Sequence, residues 1–255
     1  MSLSIYKIGG EVLDDATQLA ALLRDFAALA GPKILVHGGG RRADLVLAQM
    51  GIEPQMVAGR RLTDAATLEV VTMVYAGLLN KQLTADLQAL RCNAIGMSGA
   101  DATIIRARKR PVGAIDYGFA GDVEDVNATV LQQLLTLGLT PVCCAITHNG
   151  AGQLLNTNAD TIAATLATAL ASQYAVRLVY CFGKPGVLTD VNNDNSVIQV
   201  LNPVTYQEHV AAGHIADGML PKLDNAFASL AAGVQEIVIG NVISINSGTA
   251  TRIVS

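Results

Sequence analysis

Ile34-Leu35-Val36-His37-Gly38-Gly39-Gly40 is a run of apolar residues that ends in three glycines and passes into the Ala- and Leu-bearing stretch Arg41-Arg42-Ala43-Asp44-Leu45-Val46-Leu47. A short apolar run bounded by glycine reads as a strand buried on both faces, and the segment after it reads as a helix. Upstream, residues 4–8 form another short apolar strand, and Leu19, Leu22, Leu23, Phe26 and Leu29 recur at helical spacing. The order is therefore strand, helix, strand, helix. Further strand candidates lie at 94–97, 141–146, 176–181 and 236–239, separated by helices such as 127–137 and 157–171. This alternation predicts an α/β fold with a mostly parallel sheet covered on both faces. Two stretches interrupt it, 53–63 and 104–122, where Gly, Pro and short apolar groups suggest hairpins of the kind that form lids. No internal repeat or low-complexity linker is present, and two lobes meeting near residue 170 fit the pattern best.

The 255 residues, 51% of them hydrophobic, supply a sizeable core. A formal net charge of −4 offers no basic field to a polyanion, which argues against nucleic acid as a partner. Lys, Arg, Asp, Gly or Pro interrupts every apolar run before the roughly 20 residues needed to cross a bilayer. With Cys92, Cys143, Cys144 and Cys181 in apolar surroundings and no secretory leader before the first strand, a soluble protein of the reducing cytoplasm is expected.

Ligands of such sheets bind beyond the carboxyl ends of the strands. At the first of these junctions, Lys7-Ile8-Gly9-Gly10 can place an ammonium group beside backbone N–H groups that approach a phosphate with no Cβ in the way. A surface lysine before a turn explains the same four residues. At the second, the glycines 38–40 open a helix, whose unpaired N–H groups and dipole attract anions. Gly38, Gly40 and Ala43 also satisfy the dinucleotide pattern G-x-G-x-x-A, but that reading gives Lys7 no task and meets a hairpin where its second βαβ strand belongs. His37 is read as a hydrogen-bonded strand-end residue. The third junction is Asn156-Thr157-Asn158-Ala159-Asp160, where a single helix cap does not need three such polar residues. The Asp160 carboxylate, on an otherwise apolar helix, is expected at the sheet edge, within reach of lysines.

Late in the chain, Asp217-Gly218-Met219-Leu220-Pro221-Lys222 places a proline suited to a first helical turn just before a lysine. A cation at a helix N-terminus opposes the dipole, so an anionic ligand there would offset the cost. Other chemistries lack support: no Walker-type G-x-x-x-x-G-K-[ST], no G-x-S-x-G elbow, no chelating spacing among His37, His148, His209 and His214. Cys143 and Cys144 read as core residues.

Taken together, Lys7-Ile8-Gly9-Gly10, His37-Gly38-Gly39-Gly40, Gly59-Arg60-Arg61-Leu62-Thr63, Asn156 to Asp160 and Asp217 to Lys222 resemble the ordered motif set of the N-acetylglutamate kinase branch of the amino acid kinase family, over nearly the whole chain. Aspartokinases, carbamate kinases, uridylate kinases and glutamate 5-kinases share the opening lysine but not the set. The resemblance implies a three-layer αβα sandwich with a mainly parallel central sheet, one domain in which residues 1–170 bind the acyl amino acid and residues 171–255 bind ATP. It implies ATP-dependent phosphorylation of the side-chain carboxylate of N-acetyl-L-glutamate, a step of arginine biosynthesis. Lys7 and Lys222 look like the two lysines that stabilise the transferring phosphoryl group, and Asp160 like the acid that organises both. Gly39 and Gly40 would meet the acceptor's reacting end, while Arg61 and Asn156 look like its binding residues. Gly9 and Gly10, the loop Phe182-Gly183-Lys184-Pro185-Gly186-Val187, and His214, Ile215 and Ala216 would border the nucleotide.

An acceptor carboxylate with a pKa of about 4.3 is already ionised at neutral pH and needs no general base. Acceptor and ATP are both anions, so lysines, glycine N–H groups and a Mg²⁺ arriving on the nucleotide must offset their repulsion. Relatives commonly carry Ser or Thr followed by Asp shortly before the Gly186-Val187-Leu188 equivalent, whereas Gly183 stands where that Asp belongs. Lys184 is a candidate phosphate contact there, or a solvated loop lysine. The chain opens directly on its first strand, without the helix that arginine-inhibited members use to build hexamers, so an arginine-insensitive homodimer is expected. The acyl group is open between acetyl and succinyl, with Arg41 and Arg60 as spare cations for a second carboxylate. A non-catalytic amino-acid-binding homologue is the alternative class, supported only by Gly183 and opposed by the presence of Lys7, Asp160 and Lys222.

Overall fold

In β1 (Ser2–Ile8) alternate side chains part company: Leu3 and Ile5 enter one apolar cluster, Tyr6 and Ile8 another on the opposite face. β2 (Lys33–His37) divides in the same way, Ile34 and Val36 from Leu35. Strands apolar on both faces must be covered on both, and the helices between them do so. The computed structural model describes residues 1–57, 59–215 and 219–255.

After β1 come α1 (Gly10–Asp14) and α2 (Ala16–Ala28), the latter capped by Asp15, which accepts from the N–H groups of Thr17 and Gln18. α3 (Gly40–Gln49) follows β2, then the small hairpin of β3 (Met56–Val57) and β4 (Arg60–Arg61). One long helix follows, made of α4 (Ala65–Thr72), a π-helical stretch Met73–Leu79 and α5 (Asn80–Ala89). β5 (Ala94–Met97), β6 (Ile105–Lys109), β7 (Gly121–Val126), α6 (Ala128–Thr136), β8 (Thr140–Cys144), β9 (Ile146–His148) and β10 (Leu154–Asn156) lead to α7 (Ala159–Leu170). Beyond it are β11 (Ala175–Cys181), β12 (Val200–Leu201), α8 (Pro203–Ala211), α9 (Leu220–Ala231), β13 (Glu236–Gly240), α10 (Val242–Ser247) and β14 (Thr251–Ile253).

The main sheet has eight strands in the order β12-β14-β13-β11-β1-β2-β8-β5, parallel throughout except where β14 runs antiparallel to β13. β1 and β11 are neighbours, with Lys7 opposite Tyr180. Strands from before residue 170 thus fill one half of the sheet and strands from after it the other. Ile162, Leu166 and Leu170 of α7 and Leu223 and Ala226 of α9 cover one face; Leu22 and Phe26 of α2, Leu83 and Leu87 of α5 and Ile245 of α10 cover the other. The result is the three-layer αβα sandwich expected from the alternation.

Two expectations change in detail. The stretch 141–146 is not one strand: it bends at Ala145, so that β8 ends in the main sheet while β9 pairs with β10 and β6 in a second, four-stranded sheet, β10-β9-β6-β7. Ala145 O accepts from Thr157 N at 3.0 Å, which ties the bend to the segment before α7. The 104–122 stretch does form a hairpin, yet its strands are integral to that sheet rather than a loose decoration. Among the described residues no helix is long and apolar enough to cross a membrane.

Candidate active site

Lys7 has the same parity in β1 as Leu3 and Ile5, so its side chain leaves the sheet on the face covered by α7. Asp160 lies in the first turn of α7, and the two meet: Lys7 Nζ is 2.8 Å from Asp160 Oδ1, with only 12% and 20% of the side chains exposed. The helix is held at this height by Asn158, whose Oδ1 accepts from the N–H groups of Asp160 (2.8 Å) and Thr161 (3.1 Å). The three polar residues before Asp160 therefore have separate tasks. Asn158 is the cap, Thr157 pairs its hydroxyl with Thr147 (2.7 Å), and Asn156 donates to Thr63 Oγ1 (3.0 Å).

α9 packs on α7 and carries Lys222 in its first turn. Lys222 Nζ stands 4.8 Å from the centroid of the Phe182 ring, a cation–π contact. Burial lowers its pKa and the charge of Lys7 lowers it further, while Asp160 and Glu11 pull the other way; the net shift is downward. For Asp160 burial works against ionisation, but Lys7 and Lys222 outweigh it and hold the carboxyl below its ordinary value. One carboxylate thus faces two ammonium groups in a shielded spot. The constellation carries surplus positive charge, which suits a polyanionic ligand.

Beside this cluster the ends of β2 and α7 touch: a Cβ on Gly38 would meet the Ala159 methyl at 3.7 Å. Gly39 has φ +147°, and a Cβ there would overlap Leu79 and stand 3.0 Å from Tyr75, so only glycine fits beneath the π-helical stretch. Gly10 is different, since nothing lies within 4 Å of the Cβ it lacks. Its openness serves no internal packing and leaves the backbone accessible to a ligand. Gly9 N–H donates to Cys181 O at 2.8 Å and locks this turn to β11.

Gly38 to Gly40, Arg61 and Asn156 line a cavity of about 200 Å³, together with Tyr75 of the π-helical stretch, with Met56, Gly59 and Arg60 of the small hairpin, and with Arg110, Ala120 and Gly121 of the β6–β7 hairpin. Arg61 is buried and pinned, with Nη1 2.5 Å from Asp44 Oδ1 and Nη2 donating to Gly40 O at 3.2 Å. Gly40 and Asp44 are one helical turn apart, so a single guanidinium spans both. Burial opposes its charge, but Asp44 more than compensates and raises the pKa. His37 lies beneath the glycines and is neutral: burial pushes it down to about 4, its Nδ1–H donates to Gly38 O (2.9 Å), and Nε2 accepts from the Asn80 amide (3.1 Å). It is the strand-end residue expected.

The proposed nucleotide residues are less uniform. Phe182 underlies Lys222, whereas Lys184 is paired with Asp194 at 2.9 Å. Val187 and Ile215 are buried in the core, so only their backbone can face a ligand. Gly186 packs where a Cβ would stand 2.6 Å from Thr251 Oγ1, and Thr251 accepts from Val187 N–H, which fixes the loop that includes Pro185. His214 is exposed with its Nδ1 3.0 Å from that of His209, and Ala216 lies outside the described residues. Gly183 faces Glu11, whose carboxylate occupies the space a Cβ at 183 would take. Sequence reading passed over Glu11, Asp44, Tyr75 and Arg110. Glu11, next to the first glycine pair, was the only one of these with a local signal. Arg41 does not reach the cavity, because it turns to Glu11 (3.1 Å) and Asp14 (3.9 Å) on α1. Among the described residues no group of three or more His, Cys, Asp or Glu side chains gathers to hold a metal.

A model of the amino acid kinase family matches residues 2–241. An acetylglutamate kinase of Phocaeicola vulgatus is 55% identical over 251 residues, covering 98% of both chains. Among solved structures, an N-acetylglutamate synthase from Neisseria gonorrhoeae complexed with coenzyme A and N-acetyl-glutamate superposes with a TM-score of 0.83 at 22% identity, over 99% of this chain and 59% of that one. A carbamate kinase from Giardia lamblia bound to AMP-PNP superposes with a TM-score of 0.71 at 13% identity, over 99% and 98% of the two chains. At these identities the two structures speak for the fold alone.

Proposed function

This chain belongs to the amino acid kinase family, and on that footing we propose that it transfers the γ-phosphoryl group of ATP to the side-chain carboxylate of N-acetyl-L-glutamate, giving an acyl phosphate for arginine biosynthesis. The observation that carries the proposal is the Lys7–Asp160 ion pair of 2.8 Å, with Lys222 in the same field, beside an arginine-lined cavity. Residues 1–170 supply that cavity, and residues 171–255 the nucleotide side.

The acceptor carboxylate is its own nucleophile, so the protein's work is positioning and neutralisation. The N-termini of α3 and α7 and the backbone at Gly39 and Gly40 receive the reacting carboxylate, while Arg61 and Asn156 hold the rest of the acceptor. Lys7 and Lys222 meet the charge that spreads over the transferring oxygens, and Asp160 keeps two like charges close in the absence of substrate. Mg²⁺ would arrive with the nucleotide and would neutralise part of its phosphate charge; Gly9, Gly10, Phe182 and the backbone of 183–187, with His214 and Ile215, would border the nucleotide.

Arg61→Ala tests the acceptor assignment. It removes a pinned guanidinium from the cavity without touching Lys7 or Lys222, so KM for the acyl amino acid rises by about 10-fold or more while kcat falls far less. A fall in kcat at unchanged KM would assign Arg61 elsewhere.

The working unit we propose is a homodimer of a reducing compartment, the cytoplasm. Four buried unpaired thiols support the compartment, Cys144 and Cys181 being pushed up to about 12 by burial and therefore unreactive. Leu45 and Leu78 keep 57% and 49% of their surface exposed at one depression between α3 and the π-helical stretch, which supports pairing of two copies. Sedimentation at twice the 26.5 kDa chain mass is expected, unaffected by arginine; a monomer or hexamer contradicts it.

A further inference from the structure

The transfer gives tasks to Lys7, Lys222 and Asp160 but none to Glu11, a carboxylate in the first turn of α1. Its surroundings are those of a built contact. Gly9 N–H donates to Cys181 O at 2.8 Å, and a Cβ on Gly9 would stand 3.4 Å from Phe182 Cβ, so the turn before α1 is docked on the end of β11. Glu11 then lies against Gly183, with its Cδ 3.0 Å from the place of a Cβ at 183 and its Oε2 overlapping that place. Gly183 is not among the glycines with positive φ, so its backbone would accept another residue. The room that Glu11 takes is what requires glycine there.

The two carboxylate oxygens face different ways. Oε1 accepts from Arg41 Nη2 at 3.1 Å, while Oε2 is the oxygen turned to the loop, where among the described residues it accepts no hydrogen bond. One residue back in that loop, the Phe182 ring carries Lys222 Nζ at 4.8 Å. Asp160 cannot serve Lys222 alone, because its Oδ1 is already 2.8 Å from Lys7 Nζ. The charged groups acting on Lys222 are Lys7 of β1, which opposes its charge, and Asp160 of α7 and Glu11 of α1, which favour it.

Resting on the assignment of Lys222 to the transferring phosphoryl group, we infer that Glu11 is a positioning residue for Lys222: its carboxylate, delivered across Gly183, steadies the ammonium over Phe182 while Asp160 stays with Lys7. Glu11 and Gly183 are therefore a matched pair. The space between α1 and the loop holds one carboxylate, which either side can supply, and a second one there would meet both steric overlap and like-charge repulsion.

Initial rates of the wild type, Glu11→Gln, Glu11→Ala, Gly183→Asp and the double variant Glu11→Ala/Gly183→Asp test this, with Lys222→Ala alongside. Glu11→Gln keeps the shape and removes the charge. It lowers kcat by about 3- to 10-fold, a modest loss because the Glu11 side chain is 53% exposed, and leaves KM for the acyl amino acid unchanged. Since Glu11 raises the pKa of Lys222, its loss also moves the alkaline decline of kcat/KM for ATP to lower pH, which a merely structural contact would not do. Gly183→Asp alone is impaired, whereas the double variant recovers most of what Glu11→Ala loses. Wild-type kcat with an unmoved alkaline decline in Glu11→Gln overturns the inference, and that arm decides whether or not the double variant folds. A folded double variant no faster than Glu11→Ala overturns it too. Normal turnover in Lys222→Ala overturns the assignment of Lys222 itself, whereas an impaired Lys222→Ala beside an unaffected Glu11→Gln overturns only the role of Glu11.

Discussion

Lys222→Ala lowers kcat by about 10²-fold or more, the size of losing one donor that acts in the transition state, while the protein keeps its fold. Retention of fold follows from the energetics of the site. Burial and the neighbouring Lys7 both act against the charge of Lys222, so the unliganded protein loses little when the ammonium is removed. Its benefit appears when ATP supplies phosphate charge, and the rise in melting temperature that ATP causes in the wild type shrinks in the variant. The pH dependence follows from the same shift. Lys222 must be protonated to meet phosphate, and its pKa in the free protein lies below the ordinary 10.5, so kcat/KM for ATP declines on the alkaline side through that lowered value. Bound ATP favours the charged form, which moves the corresponding limb of kcat to higher pH. In Lys222→Ala the limb due to this group vanishes.

Asp160→Asn lowers kcat to a similar extent by a different route, leaving KM for ATP unchanged or lower. The isosteric amide keeps the helix turn but removes the charge that holds Lys7 and Lys222 together. ATP then meets a more positive site, yet the two ammonium groups are no longer placed for the in-line transfer. Stability falls too. Losing one partner of a buried pair costs about 3 kcal/mol, the lower end of the usual range because Lys7 and Asp160 retain 12% and 20% exposure. Denaturant titration reads this loss, and inorganic phosphate restores part of it. Because the Asp160 carboxyl is held below its ordinary 3.8, the stability it contributes is complete above that value and is lost as pH falls through the folded value; Asp160→Asn lacks that acid-side loss. An Asp160→Asn protein with normal turnover removes the organiser role.

Local sequence reads well where local rules operate. The strand-glycine-helix junctions at Lys7 to Gly10 and Ile34 to Gly40 follow from hydrophobic runs and glycine placement, and β-strand parity alone puts Lys7 on the face of Leu3 and Ile5. That Asp160 sits on the same face, next to β1, depends on β11 entering the sheet beside β1, a pairing across about 170 residues of chain that no local pattern encodes. Arg41 shows the opposite error. Adjacent to Gly40 in sequence, it is turned about 100° around α3 from its neighbour and finds Glu11 instead of the cavity. Asp44, one turn from Gly40, is the residue that matters there. Arg110 carries no motif at all, since its place depends on the β6–β7 hairpin folding against Asp122 and Tyr117. The bend at Ala145 was hidden within an unbroken apolar run, because backbone pairing to two different sheets leaves hydrophobicity unchanged.

Carboxylate phosphorylation itself is measured most directly by trapping its product. The protein is incubated with Mg-ATP, an N-acyl-L-glutamate and hydroxylamine, and hydroxamate and ADP are quantified together. Equal amounts of hydroxamate and ADP, both absent without the acyl amino acid, are the predicted result. ADP released without hydroxamate, or neither product from the acetyl or the succinyl compound, would contradict a phosphoryl transfer organised by Lys7, Asp160 and Lys222.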